Sequence, residues 1–162
     1  MECTCSQYRA FDLDRRSIYK RIKATPAILK LLLLLAESGA AKLKLLQCPH
    51  CGQFWQTGRE MTFGNGEYGF QVPAIIVEEW RQEPYLQPAA WMLYGVSQQS
   101  YYAANTFEPS DMPCGVAQCP NRAIRGSGVC EHHHIEQLQQ FGLLRKRPEG
   151  RLFHPYNATA PA

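Results

Sequence analysis

Seven cysteines, at positions 3, 5, 48, 51, 114, 119 and 130, constrain this chain more than any other feature. Six form the close pairs Cys3/Cys5, Cys48/Cys51 and Cys114/Cys119 and the total is odd, a pattern that a disulfide framework does not predict. Thiolates two residues apart can reach one tetrahedral ion. Seven thiols and one histidine make eight donors, enough for two closed sites with no cysteine left over. In Leu45-Leu46-Gln47-Cys48-Pro49-His50-Cys51-Gly52-Gln53-Phe54-Trp55, a strand-like run turns through two thiols and leaves as another apolar run. Gly52 allows a positive φ that turns backbone amides toward the sulfurs. Cys3-Thr4-Cys5 is the expected complement, so one zinc ion would close the whole loop up to Trp55.

The second donor set starts at Cys114 and Cys119, passes a Gly126-Ser127-Gly128 turn, and ends in Cys130-Glu131-His132-His133-His134. That last run opens an expected helix through Phe141, which Gly142 ends. Two donors in the first turn of a helix after a knuckle make a treble-clef-like geometry. Residues three or four apart share a helix face, which favours His133 as the partner of Cys130 and leaves His134 as the alternative. The metal ligands expected from sequence are Cys3, Cys5, Cys48 and Cys51 for one structural zinc ion, and Cys114, Cys119, Cys130 and His133 (or His134) for a second. No catalytic or other cofactor-binding residue is assigned.

Around these donors the chain reads as α+β. Tyr8, Ala10, Phe11 and Leu13 suggest a short strand, and Asp12 or Asp14 can cap a helix to about Lys23 whose outer face carries Arg15, Arg16, Lys20, Arg21 and Lys23. Thr25-Pro26 resembles a cap with proline at the first helical position, so a second helix is expected through the leucine run to Ser38, buried on most sides. Lys42-Leu43-Lys44-Leu45 alternates as a strand, and Asn65-Gly66 marks a hairpin. A short helical turn at Val77 to Arg81 and a helix from Ala89 to about Ala103 follow, then a proline-containing connector.

Two resemblances can be placed on these residues. Cys114 to His133 resembles the short zinc knuckles appended to bacterial and phage HNH endonucleases and related DNA-associated proteins, which implies an accessory module and not the nuclease. Cys3/Cys5 with Cys48/Cys51 resembles a zinc ribbon carrying inserted helices. The whole chain, and Leu45 to Trp55 above all, is similar to uncharacterised bacterial proteins. The expected organisation is a zinc-ribbon-like lobe over residues 1–104, a linker over 105–113, a Cys3His knuckle lobe over 114–147 and a flexible tail over 148–162.

Composition narrows the function. The 162 residues are 45% hydrophobic and 19% charged, enough apolar content for a real core. The densest apolar run, Ile28 to Ala36, is interrupted by Lys30 and is too short to span a bilayer, and no signal-like start is visible. A soluble, cytoplasmic protein with no membrane association is expected, and Asn157-Ala158-Thr159 is then a chance sequon. The formal charge is +3, but metallation of seven thiolates by two divalent ions lowers it to about zero, short of the basic footprint of a DNA binder. Protein–protein recognition, of an adaptor or toxin-neutralising immunity type, is the expected function. Nucleic-acid binding is the alternative. A zinc-dependent hydrolase using a spare histidine beside Glu131 comes third, because four protein ligands leave no open position for water.

Overall fold

Asp14 starts the first regular element: its carboxylate accepts a 2.8 Å hydrogen bond from the Ser17 N–H, the contact that an uncapped first turn needs. In the computed structural model, which describes residues 3–39, 41–154 and 156, helix α1 runs from Arg15 to Leu29 straight through Pro26. The sequence suggested a second helix capped by Thr25. That residue is fully buried instead. Its hydroxyl donates to the Arg21 carbonyl at 2.8 Å and accepts from the Gly69 N–H at 3.0 Å, so it serves packing and not capping. Pro26 deletes a single N–H near the helix end, a loss one turn can absorb.

The leucine run is therefore not a core helix. It forms β1, Leu33–Ser38, the edge of an antiparallel sheet whose other strands are β2 (Leu43–Gln47), β3 (Phe54–Glu60) and β4 (Gly66–Val72), in the order β1-β2-β3-β4. Leu33 and Leu34 are 56% and 53% exposed, against the expectation that they are buried. A continuous apolar run satisfies helix and strand periods equally, and here pairing with β2 decides. The hairpin at Asn65-Gly66 is present with a wider turn than two residues: Glu60 pairs with Gly66 across a 3-10 turn at Met61–Phe63.

One face of the sheet carries α1. Arg21, expected on the solvent side of that helix, is buried: its guanidinium donates to the Arg9 carbonyl at 2.8 Å and lies 3.5 Å from Asp12. Residues 8–13 form no strand, although Ala10 accepts from the Gln71 N–H at 2.7 Å along the β4 edge. On the opposite face, helix α2 (Val77–Gln82) brings Trp80 to Gln56. Gln56 is fully buried and paired at both polar atoms: its carbonyl accepts from Trp80 Nε1 at 2.7 Å and Tyr85 N at 2.9 Å, and its amide donates to the Tyr85 carbonyl at 2.6 Å.

The chain divides into two compact units, one built from the described residues up to Met92 together with those from Pro148 on, the other from Leu93–Arg147. Helix α3, Pro88–Ala104, contributes to both. The segment after Pro148, expected as a flexible tail, belongs to the first unit because its aromatic residues have a core to enter. Arg151 N donates to the Pro84 carbonyl at 2.8 Å. Tyr156 is fully buried, donates to the Leu86 carbonyl at 2.7 Å and stacks on Phe11 at 4.5 Å. The rest of that tail, with the sequon at Asn157, lies outside the described residues. In the second unit, part of the expected connector is strand β5 (Pro109–Pro113), paired antiparallel with β6 (Arg122–Ile124) and followed by α4 (Glu131–Gln140). Among the described residues no helix is long and apolar enough to cross a membrane.

Burial pushes the Glu60 carboxyl from its ordinary value near 4.5 up to about 7. Between those two values the folded chain holds a proton that the unfolded chain has released, so stability falls as pH rises through that window and levels off above it. Glu60→Gln is expected to remove this slope. Urea denaturation at pH 4 should find parent and variant alike, and at pH 8 the variant more stable by about 1–3 kcal/mol. Parallel curves would show a solvated carboxylate.

Candidate metal centres

The connection between β2 and β3 is shaped to present sulfur. Cys48 N donates to the Gln53 carbonyl at 2.9 Å and Gly52 N to the Cys48 carbonyl at 3.0 Å, and Gly52 takes φ +74°, which a side chain would oppose. Gln47 Nε2 adds a 3.2 Å bond to the Gly52 carbonyl. Cys3 precedes a 3-10 turn at Cys5–Gln7, and the thiols of Cys3 and Cys5 reach the same place. Cys3 Sγ lies 3.6 Å from Cys48 Sγ and 3.2 Å from Cys51 Sγ. All four donors fall within 4.8 Å of one another.

In the second unit, Cys114 follows β5, Cys119 closes a turn in which Gln118 has φ +63°, and Cys130 is the residue preceding α4. Here His133 Nδ1 lies 3.3 Å from both Cys114 Sγ and Cys130 Sγ. Cys119 Sγ is 3.8 Å from Cys130 Sγ. The four donor atoms again lie within 4.8 Å of one another.

These separations fit a metal and not a disulfide. A sulfur–sulfur bond is about 2.05 Å, whereas thiolates about 2.3 Å from a shared tetrahedral ion stand about 3.8 Å apart. The donor chemistry agrees. Burial opposes ionisation of Cys48, but the backbone N–H groups of Cys51 and His50 outweigh it and bring the thiol down to about 7. At Cys114 burial is likewise outweighed, by the N–H groups of Cys130 and Val116 and by His133, leaving the thiol at about 6. Burial pushes Cys5 well up, so its thiolate needs a cation beside it. The Trp55 indole, packed in the same apolar cluster as Cys5 and Cys48, favours that thiolate. Two Cys/His clusters thus can each hold a metal ion.

The three consecutive histidines separate in space. His133 joins the sulfurs. His132 Nε2 is exposed and 3.2 Å from Glu136, and His134, the alternative donor, shares a 2.8 Å hydrogen bond with the Tyr101 hydroxyl. Tyr101 had no signal in the sequence, since it lies 33 positions away. Asn121, whose amide approaches Cys130 Sγ at 3.9 Å, was equally invisible.

Structural metal in small modules contributes about 10–16 kcal/mol, comparable to or above the ~5–15 kcal/mol net stability of a domain. Purified protein is expected to carry two metal equivalents by elemental analysis and to unfold at least in part on chelation. His133→Ala should lose one equivalent, while His132→Ala and His134→Ala keep both; release of metal by His134→Ala alone would reassign the ligand. No protein-family model matches this chain, and comparison with curated proteins and with solved structures finds no match either.

Proposed function

We propose that both ions are structural zinc, held by Cys3, Cys5, Cys48 and Cys51 in a ribbon-like turn and by Cys114, Cys119, Cys130 and His133 in a treble-clef-like one, and that the protein acts by recognising another protein. Thiolate-rich tetrahedral donor sets suit zinc over harder cations. Each ion already has four protein ligands, so neither offers the open position that hydrolysis needs. An adaptor or toxin-neutralising immunity role matches a rigid surface of this kind.

The observation that carries the reading is the outer edge of the first sheet. Among the described residues β1 pairs with β2 on one side only, and Leu33, Leu34 and Leu35 are exposed along it, with Leu31 exposed just before it. Natural edge strands are usually blunted by charge, proline or cover, and contiguous exposed apolar surface marks interaction sites. Beside it lies a cavity of about 520 Å³ that the first metal centre shares, lined by Cys3, Cys5 and Cys48 together with Ile28, Leu31 and Leu33. A partner's extended, apolar segment can add to β1 as a fifth strand and place alternate side chains there. Nucleic-acid binding has weaker support. Arg122 is 3.3 Å from Asp111 and Arg125 is 3.1 Å from Glu108, which neutralises two of the cations that a phosphate-binding face would use.

Pull-down from the source cell should recover a specific protein whether or not nuclease is added. Leu33→Lys/Leu34→Lys, at exposed positions where substitutions cost within about 0.5 kcal/mol, is expected to keep metal and fold yet cut recovery at least about tenfold. Recovery unchanged in the variant overturns the edge-strand reading, and loss of every partner to nuclease favours nucleic acid.

A further inference from the structure

Trp55 stands in the core of the first unit with an unused donor. The residue is fully buried, and its indole Nε1 is buried with no hydrogen-bond partner among the described residues. Buried polar groups are nearly always paired, and a tryptophan placed inside a protein usually finds an acceptor for its N–H. Since Nε1 has no open surface, its acceptor has to be an atom already packed against the ring.

Register and packing narrow the choice. Trp55 lies opposite Leu46 of β2, and its ring enters the apolar cluster that holds Cys5, Cys48, Ile28 and Leu46, with Cys3 and Tyr8 partly buried against it. The Tyr8 ring meets the indole edge-on at 6.0 Å, and the Arg21 guanidinium lies over it at 6.0 Å. Arg21 is itself tied to the Arg9 carbonyl and to Asp12, so the ring is held from more than one side. The other sulfurs of the two centres are served by backbone donors. Cys5 N donates to Cys3 Sγ at 3.3 Å and Cys130 N to Cys114 Sγ at 3.3 Å. The N–H groups of Cys51 and His50 serve Cys48, that of Gln53 serves Cys51, that of Asn121 serves Cys119 and that of His133 serves Cys130. At Cys5 burial is the dominant influence and opposes a charge, and the chief influence favouring the thiolate is the Trp55 indole.

We propose that Trp55 is a positioning residue of the first metal centre, whose indole N–H donates to the Cys5 sulfur once a metal ion holds it as thiolate. The inference rests on the reading of Cys3, Cys5, Cys48 and Cys51 as a metal site. A neutral thiol is a weak acceptor and leaves the donor unpaired. The metal-bound thiolate is charged, and hydrogen bonds to a charged acceptor are the strong ones. The bond therefore forms with metal loading and gives the buried sulfur a donor of the kind that the backbone gives the others. Groups that hydrogen-bond metal ligands in this way typically cost 10–100-fold in metal affinity when they are removed.

The test loads the full chain with cadmium-113, a spin-active ion for thiolate-rich sites, and follows the indole N–H resonances, with that of Trp55 assigned by its loss in Trp55→Phe. The proposal expects the Trp55 indole proton to shift on loading and to show scalar coupling to one of the two cadmium nuclei, transmitted through the Cys5 sulfur. A ring that only fills space would show no coupling. Trp55→Phe keeps an aromatic ring in the core and is expected to bind cadmium or zinc at least about tenfold more weakly at the first centre, with the second centre unchanged. Should that variant fail to fold, the coupling in the parent chain decides alone. Two ions bound without coupling to the indole proton, or parent affinity in Trp55→Phe, overturns the proposal and leaves the metal site standing. A chain that takes up no metal at Cys3, Cys5, Cys48 and Cys51 overturns both.

Discussion

Convergence of sulfur donors is the interaction on which this structure depends. In the first unit it does more than close a loop. The thiols of Cys3 and Cys5 must reach the turn between β2 and β3, which fixes where the N-terminal segment begins and lays residues 8–12 along the β4 edge. There Ala10 accepts from Gln71 N, and Asp12 N donates to the Tyr68 hydroxyl at 2.9 Å. The same segment supplies Asp12 to the buried Arg21 and Phe11 to the stack with Tyr156. Uncompensated, Arg21 would be a buried charge, and such charges are tolerated only when paired and hydrogen-bonded. The metal centre, the salt bridge and the aromatic stack therefore hang on one short stretch of chain.

In the second unit the same device works with fewer elements. Beyond the last turns of α3 it has a two-stranded ribbon and a ten-residue helix, and α4 has no fully buried residue. Units of that size fold poorly on apolar contacts alone. Backbone N–H groups directed at Cys114 and Cys130 then do two jobs, ordering the turns and lowering the thiols toward the thiolate that a metal needs.

What could be read from the residues follows from how local each signal is. Cysteine spacing, the cap at Asp14, the Asn65-Gly66 hairpin and Gly142 at the end of α4 are statements about a few adjacent residues, and the structure has these features. The leucine run failed because its state is decided by β2, several residues away, and no period within the run could reveal that. Thr25 and Arg21 misled for a related reason: each has the local signature of a surface or cap residue, but its partners, Gly69 and Asp12, come from other elements. The aromatic residues after Pro148 were discounted as tail, because nothing nearby in sequence announces that Tyr85 and Leu86 will receive them.

The two glutamines beside the sheet make the sharpest internal comparison. Gln56 and Gln87 present amides on the same side of β3, within one unit. The fold engages the first with three hydrogen bonds, from Trp80 and to and from the backbone of Tyr85, which shows that buried amides can be satisfied in this environment. It leaves both polar atoms of the second, like Glu60 Oε1, buried with no hydrogen-bond partner among the described residues. A polar network completed at one position serves to specify the fold. The place of the second is set by packing, since at Gly58 a Cβ would collide with its amide and only glycine lets it lie against β3.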